Sequence, residues 1–405
     1  MIERMADAVS TLITGSGIYN LTWQHIVMLL ISFLLMYLAL CKGFEPLLLI
    51  GISIGMLLTN LPGAGLYHVG LWDAYLGAGP YINAAGEVFE EVTVTTILHE
   101  GGFLDILYLG VKTSLYPCLI FIGIGAMADF GPLIANPISM LLGGAAQIGI
   151  FITFILAKAL GFTTAQAAAI GNIGGANGPA TMMAASALAP ELLGAIAVAA
   201  YSYMSLVPLI QPPIMKLLTT KKERAIVMDA IRPVSKTEKI IFDIVVIVFS
   251  AALIPDSATL IGCLMFGNIM EVSGLVDRLS KTVQNDLMNI SIICLSISVG
   301  ATTTAERFLT VQTLGILALG MCAFALSTAG GVLFAKFLNL FLKHKVNPLI
   351  GSAGVAAVPM AARVSQIVGA QENKHNFLLM HAMGPNVAGT IGSAVVAGFF
   401  MKMIG

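Results

Sequence analysis

The sequence predicts an all-α polytopic membrane protein made of two inverted-topology repeats, with discontinuous helices near the midplane of the bilayer. Three observations predict it: a composition that water-soluble folds do not tolerate, short segments that recur in the same order, and an uneven placement of Lys and Arg. Of the 405 residues, 58% are hydrophobic and 10% charged, with a mean hydropathy of +0.93. A soluble domain carries roughly 25% charge. A net charge of −1 gives no electrostatic reason to invoke a nucleic-acid partner.

In chain order, residues 1–42 read as an N-terminal segment and first membrane helix. Glu3, Arg4 and Asp7 replace the basic start and small-residue cleavage site of a signal peptide, so no cleaved leader is expected. A helix needs about 20 residues to cross a ~30 Å hydrocarbon core. Apolar runs at 26–41, 45–61, 108–127, 138–160, 192–210, 240–254, 260–272, 287–300 and 314–342 are candidates. We expect about ten crossings, some short or broken. Repeat one occupies 43–216, with an extra acidic loop at about 64–103; a basic connection and linking helix occupy 217–257; repeat two occupies 258–405. Cys41, Cys118, Cys263, Cys294 and Cys322 lie scattered in apolar runs without a CxxC pair, and the six histidines lack HExxH spacing. Neither a disulfide framework nor a zinc site is supported.

The duplication rests on four matches. Ile50-Gly51 and Ile261-Gly262 lie 211 residues apart, Ala126 of IGIGA and Ala301 of ISVGA 175, Lys158 of FILAK and Lys336 of VLFAK 178, and Ile173 of IGGANG and Ile350 of IGSAG 177. The fall in offset marks an insertion in the first copy between Gly65 and Gly101. Each match is weak alone; four in one order indicate an internal repeat.

Charge then tests orientation, because cytoplasmic loops collect Lys and Arg. The connection carries Lys216, Lys221, Lys222, Arg224, Arg232, Lys236 and Lys239 and reads as cytoplasmic. The insertion holds Asp73, Glu87, Glu90, Glu91 and Glu100 and no basic residue, whereas its counterpart at 273–286 holds Arg278 and Lys281. Likewise 161–166 is uncharged where Lys343-His344-Lys345 stands in the second copy. Both comparisons favour inversion, an arrangement that places substrate sites at the midplane between repeats.

Both copies carry a break: GNIGGANGPATM at 171–182 and NPLIGSAGVAAVPMAAR at 347–363, with MGPNVAG at 383–389 as a further one. Non-helical backbone at membrane depth is tolerated where protein packs it or where it lines a cavity. Glycines also serve close helix packing, but matching breaks in two inverted copies favour a binding site. Tyr203 lies among apolar residues and reads as an interfacial anchor or a site residue. Arg363 follows a long uncharged run; it either snorkels to the interface or faces a cavity, where its guanidinium suits a carboxylate. Lys112, Lys158, Glu271, Glu306, Arg307 and Lys336 sit near segment ends and are read as structural.

Over nearly its whole length the chain resembles the β subunits of the sodium-pumping biotin-dependent decarboxylases. The resemblance is carried by FEPLLL from Phe44, GAMADFGPLIANP from Gly125, QAAAIGNIGGANGP from Gln166, APELLGAIAVAAYSYMSLVPLIQPPIMK from Ala189, TVQNDLMNI from Thr282, NPLIGSAGVAAVPMAARVS from Asn347 and NFLLMHAMGPNVAGTIGSA from Asn376. It implies an enzyme of the bacterial inner membrane that takes carboxybiotin from a carrier subunit, decarboxylates it with uptake of a proton, and couples this to Na+ export. It implies as partners a carboxyltransferase α subunit, a biotin carrier domain or protein, a small membrane γ subunit and further copies of the chain.

Carried over residue by residue, the resemblance makes Arg363 and Tyr203 catalytic, and assigns Arg363, Tyr203 and Gly351 to the carboxybiotin site. It assigns Asn177, Asn347, Asn386, Gly175, Gly351 and Ala356 to sodium. Three positions depart from the family pattern: Asn177 stands in place of an aspartate, Ala180 of a threonine and Ala356 of a serine. One negative charge and two hydroxyls are lost. At an effective dielectric of ~20 and ~4 Å, that carboxylate alone would attract a cation by about 4 kcal/mol, so weaker sodium binding, or an altered or uncoupled form, is expected. Two other classes fit the residues: a stand-alone secondary transporter of an organic anion, and a scaffold subunit without catalysis.

Overall fold

The computed structural model describes residues 16–17, 19–83 and 85–405. The expectation about the leader rests mainly on positions outside the described residues. The first helices are α1 (Trp23–Lys42), α2 (Pro46–Thr59), α3 (Val69–Tyr75), α4 (Val94–Glu100), α5 (Phe103–Lys112), α6 (Leu115–Met127), α7 (Gly131–Ala135), α8 (Ile138–Ala146), α9 (Ile148–Ala159), α10 (Thr164–Gly171) and α11 (Gly178–Leu188). They continue as α12 (Leu193–Leu218), α13 (Lys221–Arg224), α14 (Lys236–Leu253), α15 (Ala258–Ser273), α16 (Asp277–Thr282), α17 (Met288–Ala301), α18 (Ala305–Phe308), α19 (Val311–Leu338), α20 (Met360–Glu372) and α21 (Leu379–Ile404). Strands β1 (Tyr81–Ile82) and β2 (Val88–Phe89) pair antiparallel inside the acidic insertion.

By length and apolarity, six helices among the described residues suffice to cross a bilayer: Trp23–Lys42, Ile138–Ala159, Pro190–Leu218, Asp277–Ala301, Val311–Leu338 and Leu379–Ile404. The broken pair α5–α6 makes seven. The expected figure of about ten is higher because Pro46–Thr59, with 14 residues, and Ala258–Ser273, with 16, are too short to span alone, and Lys236–Leu253 carries Lys236, Glu238, Lys239 and Asp243 within its 18 residues. The segment MGPNVAG, read as a break, instead lies inside the uninterrupted α21, which continues through Pro385. Neighbouring helices in a membrane tolerate such a proline by occupying the backbone groups it frees.

Many large apolar side chains point outward, among them Leu30, Phe33, Leu34 and Tyr37 on α1 and Ile241, Val245, Val248 and Phe249 on α14. On α1 the buried residues are Met28, Ser32, Leu35 and Ala39, a single stripe at spacings of four, three and four. The remaining faces are apolar because lipid, not water, covers them.

The chain forms two compact units: one of residues up to Thr113 with Ile292–Val311, the other of Ser114–Ser291 with Gln312–Gly405. In the first, the fully buried Asp105 carboxylate ties the insertion together. It accepts from His68 N at 3.1 Å, His68 Nδ1 at 2.7 Å, Trp72 Nε1 at 2.7 Å and Gly102 N at 2.9 Å. In the second, a core of Phe121, Phe130, Leu133, Leu260 and Leu264 packs with Ala180 and Ala184 of α11 and Val387, Ile391 and Ala394 of α21.

A glycine seat of the same kind recurs in each unit. A Cβ on Gly55 would lie 2.1 Å from Ile297 O and 2.9 Å from Ala301 N; one on Gly267 would lie 2.0 Å from Ile122 O and 2.8 Å from Ala126 N. Gly55 and Gly267 are 212 positions apart, while Ile122 and Ile297, like Ala126 and Ala301, are 175 apart. Beside the seats, Asn60 Nδ2 donates to Thr303 O and Asn268 Nδ2 to Ala128 O, both at 2.8 Å, and those carbonyls are again 175 apart.

Candidate functional site

Two interruptions in the second unit build the site. After α10 a 3-10 turn, Asn172–Gly175, leads to Ala176 in the left-handed region at φ 51, and Asn177 then caps α11. Gly174 and Gly175 weaken the helix and Pro179 supplies no amide donor, so the chain restarts there instead of continuing. The second interruption is a 3-10 segment, Pro348–Gly354, followed by extended backbone at Val355 and by Pro359 ahead of α20. A Cβ on Gly331 would lie 2.0 Å from Gly351 O, so α19 and the second interruption touch backbone to backbone.

The interruptions meet where Ala356 N donates to Gly175 O at 3.1 Å. The face of α21 that carries Asn386, Thr390 and Ser393 closes round this junction. Asn386 Nδ2 donates to Ala353 O at 2.8 Å and Val355 O at 2.9 Å, which satisfies carbonyls that the broken helix leaves free. Asn177 Nδ2 donates to Ser393 Oγ at 2.8 Å and Thr390 O at 3.4 Å. Its Oδ1 is the helix cap, accepting from Ala180 N at 3.4 Å. Gly174 O accepts from Ser327 Oγ at 2.8 Å.

The junction therefore brings together Gly175, Asn177, Ala356 and Asn386, with Gly351 on the same 3-10 segment. The other expected residues lie elsewhere. Buried Asn347 donates to Arg224 O at 2.8 Å and Ile226 O at 2.9 Å and accepts from Leu349 N, so its amide pins the basic connection. Tyr203 donates to Leu317 O at 2.6 Å, with its ring edge-on to Phe324 in the seam of α12 and α19. Arg363 stands exposed on the first turn of α20, in no ion pair among the described residues.

Two residues at the breaks escape motif reading. Gln147, 4% exposed between α8 and α9, donates to Gly143 O at 3.0 Å and Gly389 O at 3.4 Å. Gln211 donates to Ser352 O at 3.1 Å and Thr328 Oγ1 at 3.4 Å. The only signal for either is a lone amide in a long apolar run, where polar residues are costly and commonly functional. The oxygens of Gln147, Gln211 and Asn386 are buried and without a hydrogen-bond partner among the described residues. Amide, hydroxyl and backbone oxygens are the donors a hard cation takes, so the residues at the junction suit one.

Residues 24–404 match the family model described as the beta subunit of Na+-transporting oxaloacetate decarboxylase. The methylmalonyl-CoA decarboxylase subunit beta of Propionigenium modestum is 53% identical over 402 residues, which cover 99% of this chain and 100% of that protein. The glutaconyl-CoA decarboxylase subunit beta of Acidaminococcus fermentans is 52% identical, with full cover of both chains. The oxaloacetate decarboxylase beta chain of Klebsiella pneumoniae is 51% identical, with 98% of this chain and 99% of that one covered. With family match and relatives both running almost end to end, this chain belongs to the family of Na+-transporting oxaloacetate decarboxylase β subunits.

Proposed function

We propose that the chain decarboxylates carboxybiotin brought to it by a carrier subunit and couples that step to sodium export across the inner membrane. The observation that carries this reading is the junction of two broken helices, Ala356 N on Gly175 O, with buried amide oxygens beside it in a family of sodium-transporting decarboxylases. Decarboxylation breaks the bond between the ureido nitrogen and the carboxyl carbon; the electron pair returns to nitrogen, which takes up one proton as carbon dioxide leaves.

Arg363, exposed and without an ion-pair partner among the described residues, holds the carboxylate before the bond breaks, since a guanidinium can bind both oxygens at once. Tyr203 orients rather than donates, because a phenol of ordinary pKa ~10 is a poor acid near neutrality. Sodium passes the junction, held by Asn386, by backbone oxygens of 174–178 and 351–354, and by Asn177 once its cap is released. Asn347 holds the basic connection against the second break. The paired glycine seats, offset by 212 on the glycine side and by 175 on the partner side, support a duplicated fold, and the Lys and Arg distribution supports inversion of the copies, the arrangement that underlies alternating access to a midplane site. The working complex includes a carboxyltransferase subunit, the biotin carrier and a small membrane subunit. The parent acid is chosen outside this chain, as relatives acting on three different acids are about equally similar to it.

Purification of the tagged chain from its native host tests the assignment, with a biotinylated subunit expected to copurify. The preparation should release carbon dioxide from carboxylated carrier in a sodium-dependent manner, and Arg363→Ala should lower that rate at least ~100-fold, as loss of a bidentate charged contact of about 3 kcal/mol implies. A copurified complex whose rate is untouched by Arg363→Ala rejects Arg363 as the carboxylate ligand.

A further inference from the structure

The side-chain oxygen of Asn177 accepts from Ala180 N at the cap of α11 and its nitrogen faces Ser393, so the residue at the centre of the junction has only the second lone pair of a capped oxygen for a cation. Another side chain at the same spot does. Gln147 sits at the joint between α8 and α9, and its Oε1 lies 3.5 Å from where a Cβ on Gly175 would stand. That same Cβ would be 2.8 Å from Ser393 Cβ, so Gln147, Gly175, Ser393 and Asn177 form one contact group. Both hydrogens of the Gln147 amide are committed, to Gly143 O and Gly389 O, which fixes the oxygen on the opposite side. The oxygen is buried and has no hydrogen-bond partner among the described residues. Burial of an unpaired carbonyl is costly, and protein interiors rarely accept it without a compensating ligand.

Orphaned amide oxygens also occur at Asn268 and Asn376. The nitrogen of Asn268 ties Gly125 O and Ala128 O, and that of Asn376 ties Arg224 O and Ile226 O, the carbonyls that Asn347 also holds at the start of the second break and not at the junction. Gln147 differs because its oxygen abuts Gly175, whose own carbonyl receives Ala356 of the second break.

We infer that Gln147 is a ligand of the transported sodium ion, supplying through Oε1 an uncommitted side-chain oxygen where that of Asn177 is engaged in a helix cap. The assignment rests on the sodium-pumping reading of the junction. It makes the ion's side-chain shell a set of neutral amide and hydroxyl oxygens, Gln147 and Asn386 foremost, contributed by the joint of α8 and α9 and by α21. A neutral shell does not need to lose a proton to bind, so occupancy of the site by sodium should be insensitive to pH over the range in which a carboxylate would titrate.

The test is sodium binding to the full-length purified chain in detergent, read as the rise in melting temperature on titration with sodium chloride against choline chloride at constant ionic strength. Wild type should show a saturable midpoint with sodium. Gln147→Leu should move that midpoint at least ~10-fold higher, while Gln147→Glu, which keeps the reach and restores oxygen, should bind sodium at least as tightly as wild type and gain a pH dependence. Should Gln147→Leu fail to fold, the Gln147→Glu midpoint and its pH profile decide alone. If Asn386→Ala shifts the midpoint but both Gln147 variants match wild type at every pH, Gln147 is a structural amide and the inference falls. A wild-type chain without any saturable response to sodium overturns the ion site itself, and the role of Gln147 with it.

Discussion

Ala176 is held at φ 51 between the first 3-10 turn and the cap of α11, in backbone space that L side chains enter at a cost of about 1 kcal/mol or more. Ala176→Gly should therefore raise stability by about 1 kcal/mol, seen as a higher melting temperature in detergent. Asp105 offers the opposite case. Four donors converge on a fully buried carboxylate, and Asp105→Ala would orphan them, at a cost of at least about 3 kcal/mol in the first unit. The hydrogen bond to Asp105 raises the His68 pKa above its ordinary 6.5, against the opposing effect of partial burial. Because the folded pKa lies above the unfolded one, the protonated pair stabilises fully below pH ~6.5 and is lost as pH rises through the raised value. Hydrogen exchange of residues 66–105, corrected for intrinsic rates, should thus be slower at pH 6 than at pH 9, and Asp105→Asn should flatten the difference. At this scale the sequence made Asn177 legible as a polar residue inside a glycine-rich break, and Asn386 as one beside a proline that α21 passes through unbroken. It left Gln147, a single amide in an apolar run, unmarked, and suggested for Asn347 a place at the ion where its amide instead ties Arg224 and Ile226. Residue type and spacing carry no record of which carbonyl a side chain will find across the fold.

Helices were legible wherever apolar runs were long, and their interruptions only where glycine and proline coincided with a change in tertiary support. The α12 helix continues through Pro208, Pro212 and Pro213 and α21 through Pro385, whereas the chain halts at 172–177, ahead of the single Pro179. Proline alone does not decide, because packed neighbours can occupy the backbone groups it frees. Contact between α19 and the second break is tighter than any side chain allows. Gly331→Val should clash with Gly351 O and cost about 3 kcal/mol, with loss of the monodisperse peak in size-exclusion chromatography. Thr328→Ser, one turn away on the same helix, keeps the hydroxyl that Gln211 meets and should elute normally. On α14 the fully buried Asp243 has both carboxylate oxygens unpartnered among the described residues. Asp243→Leu removes that desolvated group and should leave melting unchanged or raise it.

For the molecule as a whole, composition alone identified the solvent, and the outward-facing leucines and phenylalanines follow from it. The number of crossings did not, since α2 and α15 are shorter than the bilayer and depend on neighbours for their place. Exchange of Asn177 for aspartate would put a charge at the junction and, at an effective dielectric of ~20, about 4 kcal/mol of attraction for a cation at ~4 Å. In reconstituted vesicles Asn177→Asp should lower the sodium concentration needed for half-maximal decarboxylation by at least ~10-fold; an unchanged value would show that position 177 does not face the ion.

The seat of Gly55 and Asn60 also sets a clock. The amide of Asn60 reaches Thr303, 243 residues later in the chain, and a ribosome adding 5–20 residues per second needs roughly 12 to 50 s to make that stretch. During this interval α2 is already synthesised while its partner backbone does not exist. The helix must be held by lipid, by α1 or by the insertion machinery with its glycine face open, which makes the time between the two halves the vulnerable period of biogenesis. A nascent chain stalled before residue 303 lacks this contact, so α2 should remain open to cross-linking with insertion factors until translation passes that point.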